Sequence, residues 1–243
     1  MADKSLGQHW LKNRQILDEI ADLTGSGALC LEIGPGLGTL TSSLLKRFDK
    51  VLAVEFDPKL AVNLPKSFPG KNLEVKNADI LKFDFSDIEK PYRVAGNIPY
   101  YITSPIIEKL LTAENLPEKI VLLMQKEVAE RVCDEKESVL SLFVKNRAKP
   151  TLGPVVLRDE FEPAPKVDSQ VLILEPFEAP KYSDELFKLI KMAFKSPRKK
   201  LIHNLSSLKS KEEWKKIFAE LGFDPDARPA DLHLDDYYKL FVL

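Results

Sequence analysis

The sequence predicts an α/β protein with a mostly parallel sheet, an antiparallel hairpin at one sheet edge, and a small all-helical C-terminal domain. Short apolar runs alternate with helical patterns through the first three-quarters of the chain, which is typical of a parallel sheet covered on both faces. Two late strands have no helix between them, and no convincing strand follows Pro176 and Pro180. We therefore expect a sheet domain at residues 1–178 and a helical domain at residues 179–243.

Each element follows from its local pattern. Continuous apolar runs bounded by polar or turn-forming residues predict strands at Ala28–Ile33, Lys50–Glu55, Asn72–Lys76, Tyr92–Gly96, Lys119–Gln125, Leu152–Leu157 and Ser169–Leu174. Helical periodicity predicts the connections at Leu37–Phe48, Pro58–Leu64, Ser104–Leu111 and Lys126–Val132. After the break in composition, helices are expected at Glu185–Phe194, Arg198–Leu205 and Lys211–Leu221.

The composition excludes several classes of protein. The 243 residues are 44% hydrophobic and 30% charged, so disorder and fibrous architectures are disfavoured. A net charge of −1 disfavours a protein that coats nucleic acid by bulk charge, although local basic patches remain open. Two cysteines and three scattered histidines suggest no metal site. Without a signal peptide or an apolar run of membrane-spanning length, we expect a cytoplasmic protein with no membrane partner.

A glycine-rich loop joins the first predicted strand to the first helix. It reads Glu-Ile-Gly-Pro-Gly-Leu-Gly and contains Gly34, Gly36 and Gly38. Glycines let the backbone approach a ligand closely, and ligands of open α/β sheets bind beyond the carboxyl ends of the strands. The spacing differs from the dinucleotide-binding pattern, and a plain tight turn is the simpler interpretation of this motif alone.

Acidic residues follow the next two strands. Glu55 ends the second strand, where its carboxylate can accept two hydrogen bonds from a ribose diol. Asp79 follows the third strand and can accept from an adenine amino group, with Phe56 and Ile80 as apolar cover. Each acid alone is equally a solvated or turn-forming residue. A glycine-rich loop after the first strand, followed by acidic residues after the second and third strands, favours a nucleoside-like ligand.

The fourth strand ends in Gly-Asn-Ile-Pro-Tyr. Asn97 offers a side-chain carbonyl, Pro99 fixes the local turn, and Tyr100 offers a ring. Carbonyl oxygens can accept both hydrogens of a planar amino group while the ring stacks on its base. A proline turn with a capping asparagine is the alternative interpretation.

These residues in this order resemble the class I S-adenosylmethionine-dependent methyltransferases that act on exocyclic amino groups. Other segments narrow the resemblance, namely residues 7–11, residues 161–169, residues 198–201 with 204–205, and residues 228–232. Taken together, they are similar to the KsgA-type small-subunit ribosomal RNA adenine dimethyltransferases from about Lys4 to Leu243. The resemblance implies a Rossmann-like sheet. One departure is the pair His9 and Trp10, where the family more commonly has Asn and Phe.

The resemblance also implies a reaction and its residues. Two adjacent adenosines near the 3′ end of small-subunit ribosomal RNA would each be dimethylated at N6, with S-adenosylmethionine as cofactor and the immature small subunit as partner of a monomeric enzyme. His9, Leu11, Gly34, Gly36, Glu55, Phe56, Asp79, Ile80 and Asn97 would contact the cofactor. Asn97 and Pro99 would hold the target amine, while Tyr100 and Phe161 would cover the two faces of its base.

Two stretches without acidic residues are candidate RNA contacts, Ser138–Arg158 and Leu186–Lys211. Basic side chains there can bind phosphates, and the candidates are Arg147, Lys195, Arg198, Lys199 and Lys200. For any one of them, a solvated helix face is the alternative.

Two other functions remain open at this stage. A large-subunit adenine methyltransferase of the antibiotic-resistance type shares much of the site, although residues 165–169 and 228–232 argue against it. A non-catalytic assembly or transcription factor could keep the fold without the activity, but the intact run Asn97–Tyr100 favours catalysis.

Overall fold

The computed structural model describes residues 8–243. Lys4 and Gly7, at the start of the N-terminal motif, lie outside the described residues. A seven-stranded sheet has the order β4-β3-β2-β5-β6-β9-β7, and a small second sheet pairs β1 with β8. The strands are β1 (Trp10–Leu11), β2 (Gly27–Ile33), β3 (Phe48–Glu55), β4 (Leu73–Asn77), β5 (Tyr92–Asn97), β6 (Lys119–Gln125), β7 (Ala148–Val156), β8 (Phe161–Glu162) and β9 (Ser169–Pro176).

The five strands from β4 to β6 are parallel, while β9 pairs antiparallel with both β6 and β7. The predicted Rossmann-like sheet with an antiparallel edge is therefore confirmed. Its centre is apolar because neighbouring elements cover both faces. Ile120–Met124 in β6 have no exposed surface. The carboxyl ends of β2, β3 and β5 consequently meet at one edge.

Within the described residues, six α-helices begin before β7: α1 (Arg14–Thr24), α2 (Thr41–Leu44), α3 (Pro58–Asn63), α4 (Thr103–Leu111), α5 (Lys126–Cys133) and α6 (Val139–Arg147). The sequence predicted a helix at Leu37–Phe48, but α2 has only four residues. Gly38, near the start of the predicted range, has a φ of 83°, outside the helical region, and β3 begins at Phe48, which pairs with Gly27. In α4, the spacing of Ile106, Ile107 and Leu110 gives one buried apolar stripe.

The chain divides into two compact units. One contains the described residues up to Glu130 together with Ala148–Glu178, and the other contains Arg131–Arg147 together with Ala179–Leu243. Residues 131–147 therefore belong to the helical unit, not to the sheet domain where the sequence placed them. The apolar side chains explain this difference, since Leu142 of α6 packs in one core with Leu186 and Tyr237.

The helical unit also contains α7 (Glu185–Ala193), α8 (Leu201–Asn204), α9 (Lys211–Leu221) and α10 (Leu234–Phe241). The helix predicted at Arg198–Leu205 is shorter because Lys200 has extended backbone angles at its N-terminal boundary. Trp214 is buried in this core, and its indole nitrogen donates to the Leu205 carbonyl. Among residues 8–243, no helix is long and apolar enough to cross a membrane.

Candidate active site

A cavity of about 240 Å³ lies where the loops after β2, β3, β4 and β5 meet the N-terminal segment. Most of the side chains singled out from the sequence line it, although they are far apart in the chain. They are His9, Leu11, Gly34, Gly36, Glu55, Phe56, Asp79, Ile80, Asn97, Pro99 and Tyr100. The structure thus brings these eleven residues together, while their individual roles stay predictions.

Glu55 is held rigidly at the end of β3. One carboxylate oxygen accepts from the Gly36 amide at 3.0 Å, and the other accepts from the Asp57 amide at 2.8 Å. Its burial, with 6% of the residue exposed, raises the pKa of the carboxyl group. Since a carboxylate has about four acceptor positions, two remain for a ligand.

The glycine loop has the backbone that its sequence requires. Gly36 has a φ of 58°, in the left-handed region that favours glycine. A Cβ atom there would lie 3.1 Å from the indole nitrogen of Trp10. The N-terminal segment therefore lies directly against the loop that carries the Glu55 contact.

The residues after β3 and β4 form another part of the cavity wall. One carboxylate oxygen of Asp79 accepts from the Leu81 amide at 2.9 Å. Phe56 is exposed, whereas Ile80 is buried. The Asn77 side chain donates to the Phe56 carbonyl at 3.1 Å and fixes the path of the chain between these residues. An acid, an exposed ring and a buried apolar side chain thus line the same cavity.

Asn97 ends β5 with its side chain in a defined orientation. Its Nδ2 atom donates to the main-chain oxygen of His9 at 2.9 Å. Because that oxygen can only accept, the opposite end of the amide is the carbonyl Oδ1. Among the described residues Oδ1 has no hydrogen-bond partner, so it is available as an acceptor at the cavity.

Tyr100 lies in a 3₁₀ turn at Tyr100–Ile102, directly after Pro99. Its hydroxyl is 2.7 Å from the hydroxyl of Ser169, and burial raises the pKa of the phenol. The His9 ring lies nearly parallel to the Tyr100 ring, with centroids 6.1 Å apart and planes inclined by 21°. Tyr100 is therefore anchored at one edge and faces an imidazole.

Phe161 is not where the sequence placed it. It was expected to cover one face of the target base, but it does not line the cavity and only 4% of the residue is exposed. β8 pairs with β1, setting Phe161 opposite Leu11, and both side chains join one hydrophobic core. In this conformation its ring has no free face at the cavity.

Glu32 is a cavity residue that the site prediction omitted. It is 1% exposed, and its Oε2 atom is buried without a hydrogen-bond partner in the described structure. Burial, with a smaller contribution from the charge of Glu55, raises the pKa of this carboxyl group to about 8. A glutamate at the end of an apolar strand was the signal in the sequence.

The basic residues predicted to contact RNA divide into two groups, those with an ion-pair partner and those without one among the described residues. The Arg147 guanidinium pairs with Asp184 and lies 4.4 Å from the centre of the Phe143 ring, with 7% of the residue exposed. Arg147 is therefore a packing residue, which corrects its assignment as an RNA contact. Lys200 pairs with Asp226 at the surface.

The remaining three candidates, Lys195, Arg198 and Lys199, are exposed. No ion pair is found for them within residues 8–243. They remain available for a polyanion.

The sheet order and the cavity at its carboxyl edge define a class I methyltransferase fold. The sequence model of the family "Ribosomal RNA adenine dimethylase" matches residues 1–243. The chain belongs to this family, and it is therefore a methyltransferase.

Named relatives cover nearly the whole chain. The ribosomal RNA small subunit methyltransferase A of Picosynechococcus is 40% identical over 260 residues, covering 98% of this chain and 95% of the relative. A dimethyladenosine transferase from Plasmodium falciparum has a TM-score of 0.80 and 31% identity, with 96% of each chain covered. The 23S rRNA methyltransferase ErmE has a TM-score of 0.77 and 26% identity, covering 96% of this chain and 98% of its own. This chain is more similar in sequence to the small-subunit methyltransferase than to ErmE. The alternative function, methylation of large-subunit ribosomal RNA, is therefore not favoured.

Proposed function

We propose that this protein dimethylates N6 of two adjacent adenosines in the 3′-terminal hairpin of small-subunit ribosomal RNA, with S-adenosylmethionine as the methyl donor. It would act in the cytoplasm as a monomer on the immature small subunit, with a role in small-subunit biogenesis. The observation that carries the proposal is that the unpartnered Oδ1 of Asn97 and the ring of Tyr100 belong to residues lining one cavity with the glycine loop and Glu55.

The cavity fits the cofactor in its charges and hydrogen-bonding groups. The two remaining acceptor positions of Glu55 suit a ribose diol, and the second oxygen of Asp79 suits an adenine amino group. The buried Oε2 of Glu32 lacks a partner, and an ammonium group would supply one. The bound cofactor would supply a methyl group on a positively charged sulfur. Gly34 and Gly36 allow a close approach of the backbone.

The chain's own part in the reaction is to position the amine. An adenine amine is a poor nucleophile because its lone pair is delocalised into the ring. A hydrogen bond to Asn97 Oδ1 favours a pyramidal nitrogen and directs its lone pair towards the methyl group. The methylated nitrogen is acidic and releases its proton readily, so catalysis rests on orientation and electrostatics.

The target base must leave its stack to reach this site. Stacking on Tyr100 recovers about 1–3 kcal/mol, the scale for a base on an aromatic ring. Pro99 directly precedes the 3₁₀ turn that carries this ring. The adenine is therefore selected by two features together, a ring for its face and an oxygen for its amine.

The helical unit is the proposed RNA-binding part. Its exposed cations Lys195, Arg198 and Lys199 are available for phosphates, and Lys200 can exchange its surface partner Asp226 for one. Such contacts position the RNA, whereas the cavity selects the base.

The proposal is tested by incubating the protein with isolated small and large ribosomal subunits and tritiated S-adenosylmethionine, followed by mapping of methylated adenosines. We expect dimethylation of two adjacent adenosines in small-subunit RNA alone. Transfer to the large subunit would replace the proposed substrate, and absence of transfer to either subunit would indicate a non-catalytic role.

A further inference from the structure

We propose that Asn204 is a positioning residue for RNA binding, which holds the loop at residues 195–200 in one shape before RNA arrives. This segment, here called the cation loop, lies between α7 and α8 and carries Lys195, Arg198 and Lys199, the exposed cations proposed above as phosphate contacts. The inference therefore rests on the proposed function. It names the residue that prepares the RNA-binding surface and assigns to that residue no contact with the RNA.

The centre of the cation loop is a four-residue turn. The amide of Lys199 donates to the carbonyl oxygen of Ser196 at 3.0 Å, which closes the turn around Pro197 and Arg198. Serine at the first position and proline at the second are residues that such turns favour. Proline fixes its own φ at about −65° before the turn forms. The local sequence thus already restricts the backbone from which Arg198 and Lys199 project.

Asn204 adds a hydrogen bond from outside the turn. Its Nδ2 atom donates to the same Ser196 oxygen at 3.0 Å, across eight positions of the sequence. A carbonyl oxygen has two lone pairs, and these two donors, one from the turn and one from α8, use both. The turn is therefore tied to the helix that follows the loop, and it cannot move away from that helix without breaking the Asn204 bond.

The helix that carries Asn204 is itself fixed. Leu201 and Leu205 lie four residues apart and have no exposed surface, because both pack in the core of the helical unit. The amide of Leu201 also donates to the Ala227 carbonyl at 2.8 Å. Asn204 consequently ties the exposed turn to a segment that the core holds in place.

Holding the loop in advance matters because RNA binding would otherwise have to order it. Fixing the backbone of each residue costs conformational entropy, and a loop that is already ordered does not lose this freedom on binding. In the part of the chain that the structure describes, no ion pair is found for Lys195, Arg198 or Lys199. Exposed cations on a fixed backbone fit a polyanion of defined shape, as a folded RNA is.

The test compares the full-length protein with Asn204→Leu, which replaces the amide by an apolar group of similar shape and leaves every cation in place. We expect affinity for isolated small ribosomal subunits to fall about 2- to 13-fold, the range for one net hydrogen bond. The slope of log affinity against log salt should not change, because no phosphate contact is lost. Arg198→Ala, which deletes a cation, should lower that slope. In Asn204→Leu, kcat at saturating RNA and cofactor affinity should stay within about twofold.

Trypsin measures the order of the cation loop without RNA, since it cleaves after the basic residues of the loop. We expect cleavage there to be about 2- to 13-fold faster in Asn204→Leu, because cleavage follows the population of the opened loop. Ser196→Ala is the matched control. Asn204 binds the main-chain oxygen of Ser196, so this change should leave affinity and cleavage unaltered. Asn204→Ala, which favours a helix, takes the place of Asn204→Leu if that variant does not fold.

Affinity and cleavage equal to those of the unaltered protein would overturn the proposal. So would weaker affinity with unchanged cleavage, which would make Asn204 a direct RNA contact. Faster cleavage throughout the chain would also overturn it, because it would show a general loss of stability. Failure of the proposed function is a separate result, namely no methyl transfer by the unaltered protein, since trypsin reports on the loop in the absence of RNA.

Discussion

The side-chain amide of Asn97 donates to the main-chain oxygen of His9 across 88 positions of the sequence, at 2.9 Å. This contact decides which end of the amide faces the cavity. Asn97→Asp replaces the donor by an oxygen that is repelled from the His9 oxygen. We expect kcat to fall about 10²- to 10³-fold, the scale for losing one preorganised hydrogen bond at a reacting centre. The measurement is single-turnover methyl transfer to small subunits.

Asn63→Asp is the matched control for this substitution, because its exposed side chain contacts only Lys66 among the hydrogen bonds described. Its kcat is expected to stay within about twofold of the unaltered protein, the effect of less than 0.5 kcal/mol typical of a surface change. An equal loss in both variants would contradict the role of the Asn97 amide.

Tyr100 is expected to act through its ring more than through its hydroxyl. Tyr100→Ala removes the stack and should raise the KM for RNA about 5- to 150-fold. Tyr100→Phe keeps the ring and loses one hydrogen bond to Ser169, a change of about 0.5–1.5 kcal/mol in the stability of the turn. Parallel assays of transfer and cofactor binding check this, since equal losses in the two assays of Tyr100→Ala would refute stacking.

Glu55 is expected to determine cofactor affinity. Glu55→Ala removes the acceptors proposed for the ribose and frees the Gly36 and Asp57 amides that the carboxylate now binds. Hydrogen bonds to a charged group contribute about 1.5–3 kcal/mol each, so the Kd should rise at least about tenfold. Calorimetry measures it, with Glu74→Ala as a control because Glu74 pairs with lysines outside the cavity. Unchanged binding in Glu55→Ala is incompatible with the ribose assignment.

Glu32 makes the stability of the protein without cofactor depend on pH. Burial raises its pKa from 4.5 to about 8, so the folded protein binds a proton that the unfolded chain has released. Its contribution is full below pH 4.5 and is lost as the pH rises towards 8, by up to about 1.4 kcal/mol per unit. Glu32→Gln should therefore unfold at a higher temperature than the unaltered protein at pH 8.5, and should lose this advantage at pH 4.5. The measurement is the melting temperature of both proteins between these two pH values. A difference in melting temperature that does not change with pH would contradict the raised pKa of Glu32.

The exposed and buried basic residues are expected to differ in how RNA binding depends on salt. Arg198→Ala and Lys199→Ala should each lower the slope of log affinity against log salt by roughly 0.7–0.9, the value for one phosphate contact. Arg147→Ala should leave the slope unchanged and lower the melting temperature, because it removes the guanidinium from the Phe143 ring. The opposite pattern would return Arg147 to the RNA surface.

Much of the cavity could be predicted because its residues follow strands. In a parallel sheet, the ends of successive strands meet at one edge, so the positions of Gly34, Glu55 and Asn97 in the sequence were enough to bring them together. The same logic could not place Phe161, because its burial depends on the pairing of β8 with β1. Nothing local in the sequence indicates that pairing.

Arg147 shows a second limit of sequence analysis. An arginine in a stretch that also contains Lys145 and Lys149 has the same sequence pattern whether its guanidinium faces solvent or lies over a phenylalanine ring. Only the packing of α6 against α7 distinguishes the two cases. The length of α2 is a third case. The predicted range has helical periodicity, but Gly38 has a positive φ and β3 begins at Phe48, so neither end of that range is helical.

The discontinuous helical unit affects the order in which the protein can fold during synthesis. Helix α6 leaves the ribosome before β7 and β9, yet its core partners Leu186 and Tyr237 are made later. Until then, the apolar side of α6 stays without its native cover while the sheet completes. Because its core partners are made last, α6 completes its packing only when translation is nearly finished.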